Sequence, residues 1–385
     1  MALDRELTET LIRAAFPRLQ SVVWGTQAEP QDISFYVIPG KGACPRWLVP
    51  VDARKGEAAL ALWNPMNARS RLIWQLLKLV YHFGWLGHVP GVEMVSLKTG
   101  YQEPSDLGYH VVYVGTPSHV QRLITIKLDP ETGKALTVSK IPYGPHARAG
   151  LEQEAYMLNW LAQHFPGHAP VLLNWDGESA CLTQSVKPGH QIDTELTRPL
   201  IEWLRGLARP NQFVTLADAL IELRGWLSQQ PLDDSDRLVL AYWIQHYLDQ
   251  DALVDRPLPA VVVHGDFCPW NIKTDSNGHV HVVDWENARE QGLPGFDLIH
   301  FFHIVRIVEG RTTEGLCQRL WHHEQVRAYC QCFDIDEAMW QAIYGLYVFD
   351  QLRYTMAFNL QPRQDLYMEE CRRLADAFTQ PHAVH

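Results

Sequence analysis

The sequence has 385 residues, 46% hydrophobic and 20% charged, and its formal net charge is −11, an ordinary balance for a globular protein with a sizeable apolar core. It contains no Lys/Arg cluster large enough to follow a phosphate backbone, so nucleic acid is disfavoured as a partner. The seven cysteines include no C-x-x-C pair, which argues against a disulfide framework or a zinc site and favours reduced thiols.

Residues 1–90 are predicted to form an α/β extension. Its first six residues lack the basic start and apolar core of a signal peptide, so a cytoplasmic protein is expected. Short apolar runs between Pro, Gly and Asp predict three strands, and Ala68–Phe83 predicts a helix. Gln75, Lys78 and His82 interrupt its apolar residues, which predicts an amphipathic helix and no membrane span.

Residues 91–186 are predicted to form a β-rich lobe that contains one helix. Two well-marked turns separate apolar runs that predict three consecutive antiparallel strands, Tyr109–Gly115, Gln121–Leu128 and Lys134–Ile141. The helix is expected from Ala149 to His164, because its leucines recur on one face. A second hairpin is expected around residues 171–184.

Residues 187–385 are predicted to be mostly helical. The helical periodicity covers Leu196–Ala208, Leu216–Ser228, Ser235–Asp249, Phe296–Val308, Gly315–Cys332 and Asp336–Asn359. Two strands, Ala260–Val263 and Val280–Asp284, interrupt this series. A β-rich part followed by a helix-rich part indicates an α+β protein with two lobes.

The most informative segment joins these two strands. It reads His264-Gly265-Asp266-Phe267-Cys268-Pro269-Trp270-Asn271, and Asp284 follows after an Asn-Gly turn and a second apolar strand. This pattern resembles the catalytic loop and the metal-binding Asp of the aminoglycoside phosphotransferase and choline kinase-like family, in its bacterial small-molecule kinase branch. His-Gly-Asp alone fits an ordinary turn equally well, but the complete spacing is far more specific.

The resemblance implies a bilobal protein-kinase-like fold, with an antiparallel β N-lobe, a helical C-lobe and the N-terminal extension added to them. It also implies ATP and Mg²⁺ as cofactors, with Asp266 as catalytic base and with Asn271 and Asp284 as metal ligands. One carboxylate and one amide suit Mg²⁺, which takes few protein oxygens beside phosphates and water. His264 and Asp297 are expected to support the loop.

Cys268 lies beside this predicted site in the sequence. Two interpretations are open for it, a bystander that fills space and a reactive thiol.

Lys140 and Glu154 are the candidates for the ion pair that holds nucleotide phosphates in this fold. Lys140 ends a predicted strand and Glu154 lies on the next predicted helix. Taken alone they would be ordinary surface charges, but their position relative to the catalytic loop matches the family. Glu152 is the rival to Glu154.

Two further segments are expected to bind nucleotide. Thr116 and Ser118 lie in the turn where the family has its phosphate-covering loop, although an ordinary hairpin turn fits as well. Ser185 and Val186 lie where the resemblance places the connection between the lobes, and their backbone is expected to bind adenine.

Asp350, Arg353 and Tyr354 lie on a late helix where the family recognises its substrate, with ordinary helix surface as the competing interpretation. The expected function is transfer of the γ-phosphate of ATP to a hydroxyl of a small molecule. The residue pattern around Asp266, together with Asp284-Trp285-Glu286, resembles that of a bacterial branch of the family associated with surface-polysaccharide genes. This resemblance makes a sugar or glycan intermediate the favoured acceptor. A nucleotide-binding pseudokinase acting as regulator or scaffold and a nucleotidyl (AMP) transferase remain alternatives.

Overall fold

Antiparallel strands dominate the first half of the chain and helices the second in the computed structural model, which describes residues 3–25, 33–52, 56–63, 65, 68–99 and 109–379. The strands are β1 (Leu19–Trp24), β2 (Ile33–Pro39), β3 (Pro45–Pro50), β4 (Glu93–Thr99), β5 (His110–Val114), β6 (Arg122–Leu128), β7 (Ala135–Pro142), β8 (Leu172–Asp176), β9 (Cys181–Ser185), β10 (His190–Gln191), β11 (Ala208–Val214), β12 (Leu258–Val263), β13 (Ile272–Thr274), β14 (Val280–Val282) and β15 (Arg289–Gly292).

The helices are α1 (Arg5–Ala15), α2 (Glu57–Leu60), α3 (Ala68–His82), α4 (Ala147–His164), α5 (Arg198–Arg205), α6 (Leu216–Leu227), α7 (Asp234–Leu248), α8 (Asp251–Val254), α9 (Phe296–Val308), α10 (Leu316–Trp321), α11 (Glu324–Cys332), α12 (Glu337–Ala357) and α13 (Gln361–Thr379). Within the described ranges, none of them is long and apolar enough to cross a membrane. The α+β class expected from the sequence is confirmed.

The chain divides into two compact units. The N-terminal unit contains Met1–Ile192 and Trp270–Glu286, and the C-terminal unit contains Asp193–Pro269 and Asn287–His385. The segment from 270 to 286 therefore belongs to the first unit, although the sequence placed it with the helical part.

A nine-stranded antiparallel sheet forms the centre of the N-terminal unit, in the order β1-β4-β2-β3-β5-β6-β7-β9-β8. β4 pairs with both β1 and β2, and β3 pairs with β5, where Trp47 lies opposite Tyr113. The boundary that the sequence placed between residues 90 and 91 falls inside this sheet. The Gly and Pro residues there mark the end of a helix and the start of β4. Such turn signals are local and do not indicate which strands pair with each other.

Alternation along these strands builds a core on each face of the sheet. On one face, Ile12 of α1 packs with Phe35 and Val37 in a buried cluster. On the other face, Trp47 and Tyr81 belong to a second buried cluster, which the segment carrying α2 and α3 covers. The α/β extension is therefore integral to this unit.

A three-stranded antiparallel sheet, β11-β12-β15, and the helices α5 to α13 make up the C-terminal unit. The long helix α12 packs against α13, α9 and α6. The helix predicted over Gly315–Cys332 is two helices, because His323 has an extended backbone (φ −75°, ψ 126°) at the N-cap of α11. Strands β11 and β15 and helices α8 and α13 were not predicted.

Glu370 of α13 is a buried carboxylate inside this unit. Its Oε1 accepts a hydrogen bond of 2.6 Å from the Tyr344 hydroxyl, and its Oε2 accepts one from the Thr313 hydroxyl. The Nε2 atom of His303 lies 3.4 Å from the same oxygen. Burial alone would raise the pKa of Glu370, but His303, Thr313 and Tyr344 outweigh it and lower that pKa below its ordinary value of 4.5.

A depressed folded-state pKa means that ionised Glu370 stabilises the fold above its unfolded pKa and that this contribution disappears as the pH falls through the folded value. We expect Glu370→Gln to lower the free energy of unfolding at neutral pH by about 1–3 kcal/mol, because buried partners lose an ionised acceptor. As the pH is lowered, the free energy of unfolding of this variant should fall less steeply than that of the parent chain. Urea unfolding at neutral and mildly acidic pH measures both, with exposed Glu369→Gln as control; parallel parent and variant pH curves would contradict the prediction.

Candidate functional site

A cavity of about 420 Å³ lies in the N-terminal unit. Its walls come from strands β5 to β7, the turn after β5, the segment after β9 and the β13–β14 hairpin with its flanking residues. Residues predicted from the sequence that line it are Thr116, Ser118, Lys140, Ser185, Val186, Asn271 and Asp284. The fold therefore collects separated parts of the sequence around one space large enough for a small ligand.

Lys140 of β7 is a buried cation held between two carboxylates. Its Nζ lies 2.7 Å from both carboxylate oxygens of Glu154 and 2.6 Å from Oδ1 of Asp284. Burial alone would lower the pKa of Lys140, but Asp284 and Glu154 outweigh it and raise that pKa above its ordinary value. The two carboxylates thus stabilise the charged form of Lys140 at the cavity wall.

The choice between the two glutamates of α4 is clear in the structure. Glu154 is fully buried and contacts Lys140, whereas Glu152 pairs with Arg148 at 2.8 Å with both side chains about half exposed. Only Glu154 is placed to orient the lysine.

Arg122, the first residue of β6, is a second cation at the same place. Its Nη1 lies 3.2 Å from Oδ1 of Asp284, and its Nη2 donates to Oε2 of Glu286. Burial and the charge of Asp284 raise the pKa of Glu286 to about 7, although Arg122 opposes this shift. Sequence reasoning missed both Arg122 and Glu286, because no local signal links positions more than 160 residues apart.

The β13–β14 hairpin explains why Asn271 and Asp284 meet at one wall. Ile272 pairs with Val282, and the Val283 N–H donates to the Asn271 carbonyl at 2.9 Å, so residues 271 and 283 lie opposite each other at the open end. Asp284 has φ +74°, a left-handed conformation that is costly for a residue other than Gly and is concentrated at functional positions. Both polar side chains therefore sit where pairing ends.

The N-terminal extension supplies an aromatic wall to the same cavity. Trp47 and Trp63 line it together with Tyr113. The Trp47 ring lies 4.7 Å from the Tyr113 ring, and Trp63 packs edge-on against Trp74 at 4.7 Å. The sequence assigned no role to residues 1–90; in the structure they shape the pocket.

The loop before Asp266 is fixed within the C-terminal unit. Asp297 accepts hydrogen bonds from the N–H of His264 at 2.7 Å and of Gly265 at 2.9 Å. Gly265 has φ +80°, and a Cβ there would collide with the Asn287 carbonyl, so this sharp turn requires glycine. Asp297 lies in the first turn of α9, whose N-cap position is Gly295, and its carboxylate ties down the loop.

Asp266 is oriented by a buried histidine. Nε2 of His300 lies 3.1 Å from Oδ1 of Asp266, and Nδ1 of His300 lies 3.1 Å from the Tyr347 hydroxyl. The Asp266 side chain is 27% exposed and that of His300 only 6%, so the carboxylate reaches solvent from a rigid support. Cys268 is buried, with its Sγ 3.6 Å from the same carboxylate oxygen. Sequence reasoning missed His300.

Asp350 and Arg353 belong to an ion-pair network on α12. Asp350 contacts Arg289 and Arg353, each at 2.7 Å, and Arg353 also contacts Glu222 at 2.5 Å. The Tyr354 ring packs against Phe358 at 4.8 Å. Substrate recognition by these three residues stays a prediction.

Comparison with known proteins gives a family match. Residues 127–332, more than half of the chain, match the model of a family described as "Phosphotransferase enzyme family". A search of curated proteins found no match.

Solved structures with similar folds include choline kinase LicA from Streptococcus pneumoniae, at 12% identity over 69% of this chain and 94% of that chain with a TM-score of 0.46. A thermostable mutant of aminoglycoside phosphotransferase APH(4)-Ia in its apo form is similar at 14% identity over 70% and 95%, with a TM-score of 0.48. ADP-bound aminoglycoside phosphotransferase APH(2'')-Ib is similar at 14% identity over 69% and 93%, with a TM-score of 0.45.

Proposed function

Because this chain belongs to the phosphotransferase enzyme family, we propose that it moves the γ-phosphate of ATP to a hydroxyl of a small molecule in a Mg²⁺-dependent reaction. The observation that carries the proposal is the contact of Lys140 with both Glu154 and Asp284 at the cavity wall. Burying a lysine with two carboxylates costs desolvation free energy. Phosphoryl transfer is a function that requires such a fixed cation to hold the phosphates.

Nucleotide binding is assigned to the cavity. Lys140 would hold phosphate oxygens, with Glu154 fixing its direction. Thr116 and Ser118 lie in the turn after β5 and line the cavity, and their hydroxyls would contact phosphates. The backbone of Ser185 and Val186 would bind adenine against the apolar side chains of the strands.

The donor set of the cavity fits Mg²⁺. Asn271 offers an amide oxygen and Asp284 a carboxylate, the oxygen donors that this ion prefers in small number. Bound there, Mg²⁺ would neutralise charge on the transferring phosphate. Lys140 and Arg122 both contact Oδ1 of Asp284, so the position of this carboxylate is fixed from two sides.

Asp266 is proposed as the catalytic base. It precedes Asn271 by five residues in the same loop, and it would accept the proton of the acceptor hydroxyl or orient that hydroxyl for attack. His300 is proposed as its positioning residue, because the 3.1 Å contact fixes one carboxylate oxygen. A sugar or glycan intermediate remains the favoured acceptor.

The test is mass spectrometry of products formed from ATP, Mg²⁺ and a panel of sugars, amino sugars and amino alcohols. Gain of one phosphate on an acceptor is the expected result. Gain of AMP would replace the proposal with nucleotidyl transfer. Tight ATP binding without any product or hydrolysis would identify a nucleotide-binding protein without catalysis.

The two glutamates of α4 provide a matched test of the contact between Lys140 and Glu154. We expect Glu154→Gln to lower ATP turnover roughly tenfold to a hundredfold, because buried Lys140 loses one of its carboxylate partners. Glu152→Gln alters only an exposed pair, which is worth about 0–1 kcal/mol, and should leave turnover unchanged. Steady-state kinetics on both variants measures this; equal turnover in the two would contradict the assigned role of Glu154.

A further inference from the structure

Helix α3 and the turn after it expose an unusual apolar surface. Leu72, Ile73, Leu76, Leu79 and Phe83 are each more than half exposed, and so is Trp85 in the turn that follows. Four of them, at positions 72, 76, 79 and 83, have the three- and four-residue spacing that places side chains on one helix face. We call these six side chains the apolar stripe.

The apolar stripe is not needed to hold α3 on the protein. The opposite face does this, because Trp74 and Tyr81 are buried in the core on that side of the sheet. The Trp74 indole donates to the Trp63 carbonyl at 3.0 Å, and the Tyr81 hydroxyl donates to the Pro50 carbonyl at 2.7 Å. A helix fixed by one face presents the other face in a defined direction.

The charge of this segment is opposite to that of the whole chain. Residues 68–92 contain Arg69, Arg71 and Lys78 and no Asp or Glu, in a protein whose formal net charge is −11. Arg69 is exposed and Lys78 partly so. Exposed apolar side chains, aromatic rings at one end and cations beside them are the features of helices that lie in a membrane interface.

We propose that α3 binds the surface of an anionic lipid bilayer, with its axis parallel to the membrane and the apolar stripe in the headgroup region. A second copy of this chain is the competing occupant of the stripe. Pairing two α3 helices would bring their cations together without any acidic residue of the same segment to balance them. Anionic headgroups supply that balance. The proposal does not depend on the catalytic function.

The test is co-sedimentation of the full chain with vesicles of phosphatidylcholine alone and of phosphatidylcholine with an equal part of phosphatidylglycerol. The expected result is binding to the mixed vesicles that weakens as salt is added. The double variant Leu76→Gln/Leu79→Gln should bind these vesicles at least about tenfold more weakly, since each leucine loses apolar burial in the interface. Leu238→Gln/Leu366→Gln removes two leucines elsewhere that are also more than half exposed, and this variant should bind like the parent chain.

Several results would overturn this proposal. They are no binding to the mixed vesicles, equal binding to both kinds of vesicle, or an equal loss in the control variant. Light scattering that shows a dimer in the parent chain and a monomer in the Leu76→Gln/Leu79→Gln variant would assign the apolar stripe to a second copy. Thermal denaturation of each variant verifies that the fold is kept, which is expected because the substituted side chains are exposed.

Discussion

Replacing Asp266 with Asn is expected to lower kcat by about 10²–10⁴-fold while nucleotide binding stays within about twofold of the parent chain. The amide keeps the shape of the carboxylate and its contact with His300 but cannot take the acceptor proton. Pre-steady-state product formation measures the first quantity and nucleotide titration the second. Asp255→Asn, an exposed carboxylate just before β12, serves as control and should behave like the parent.

The contact with His300 tests how the orientation of the Asp266 carboxylate affects the rate. His300→Gln should reduce kcat less than the Asp266 change does, and the acceptor KM should hardly alter, because only the orientation of the carboxylate is disturbed. Undiminished kcat in the Asp266→Asn variant would remove this residue from the mechanism. A fall confined to acceptor KM would assign it to binding.

Replacing Asp284 with Asn should abolish the stimulation of turnover by Mg²⁺ and lower activity by about 10³-fold, since a charged oxygen ligand becomes a neutral one. Metal-free nucleotide binding should be kept or tightened, because Lys140 and Arg122 lose the carboxylate that now neutralises them. This combination separates the loss of a metal ligand from simple unfolding. Calorimetric nucleotide titration with and without Mg²⁺ measures it.

Asp275→Asn is the matched control for this second prediction. Asp275 accepts from the N–H groups of Asn277 and His279 in the turn of the β13–β14 hairpin, at the end away from Asn271. The Asp275→Asn substitution should lower the stability of the protein without changing the dependence of turnover on Mg²⁺. An Asp284→Asn variant whose Mg²⁺ dependence equals that of the parent chain would exclude Asp284 as a ligand.

Local sequence signals predicted most elements because their causes are local. The apolar periodicity of Phe296–Val308 predicted α9 with the ends that the structure gives. The spacing around Asp266 predicted the family, which the match over residues 127–332 confirms. In both cases neighbouring residues contain the necessary information.

Long-range partners were beyond the reach of such signals. Arg122 meets Asp284 across 162 positions, and β4 finds both of its partner strands in the extension. His300 contacts Asp266 only because α9 turns that side chain toward the loop. The break between α10 and α11 was also missed, because its sequence carries no Gly or Pro to mark it.

The nine-stranded sheet determines what would happen if the protein were shortened by removing its N-terminal extension. Deleting residues 1–90 would remove both hydrogen-bonding neighbours of β4 and one of the two neighbours of β5. The shortened chain would then carry an open β edge, which invites aggregation. It would also lack one side of the cavity, since Trp47 and Trp63 would go with the deleted segment. Residues 1–90 are therefore not a removable module, because their strands belong to the same sheet as β4 to β9.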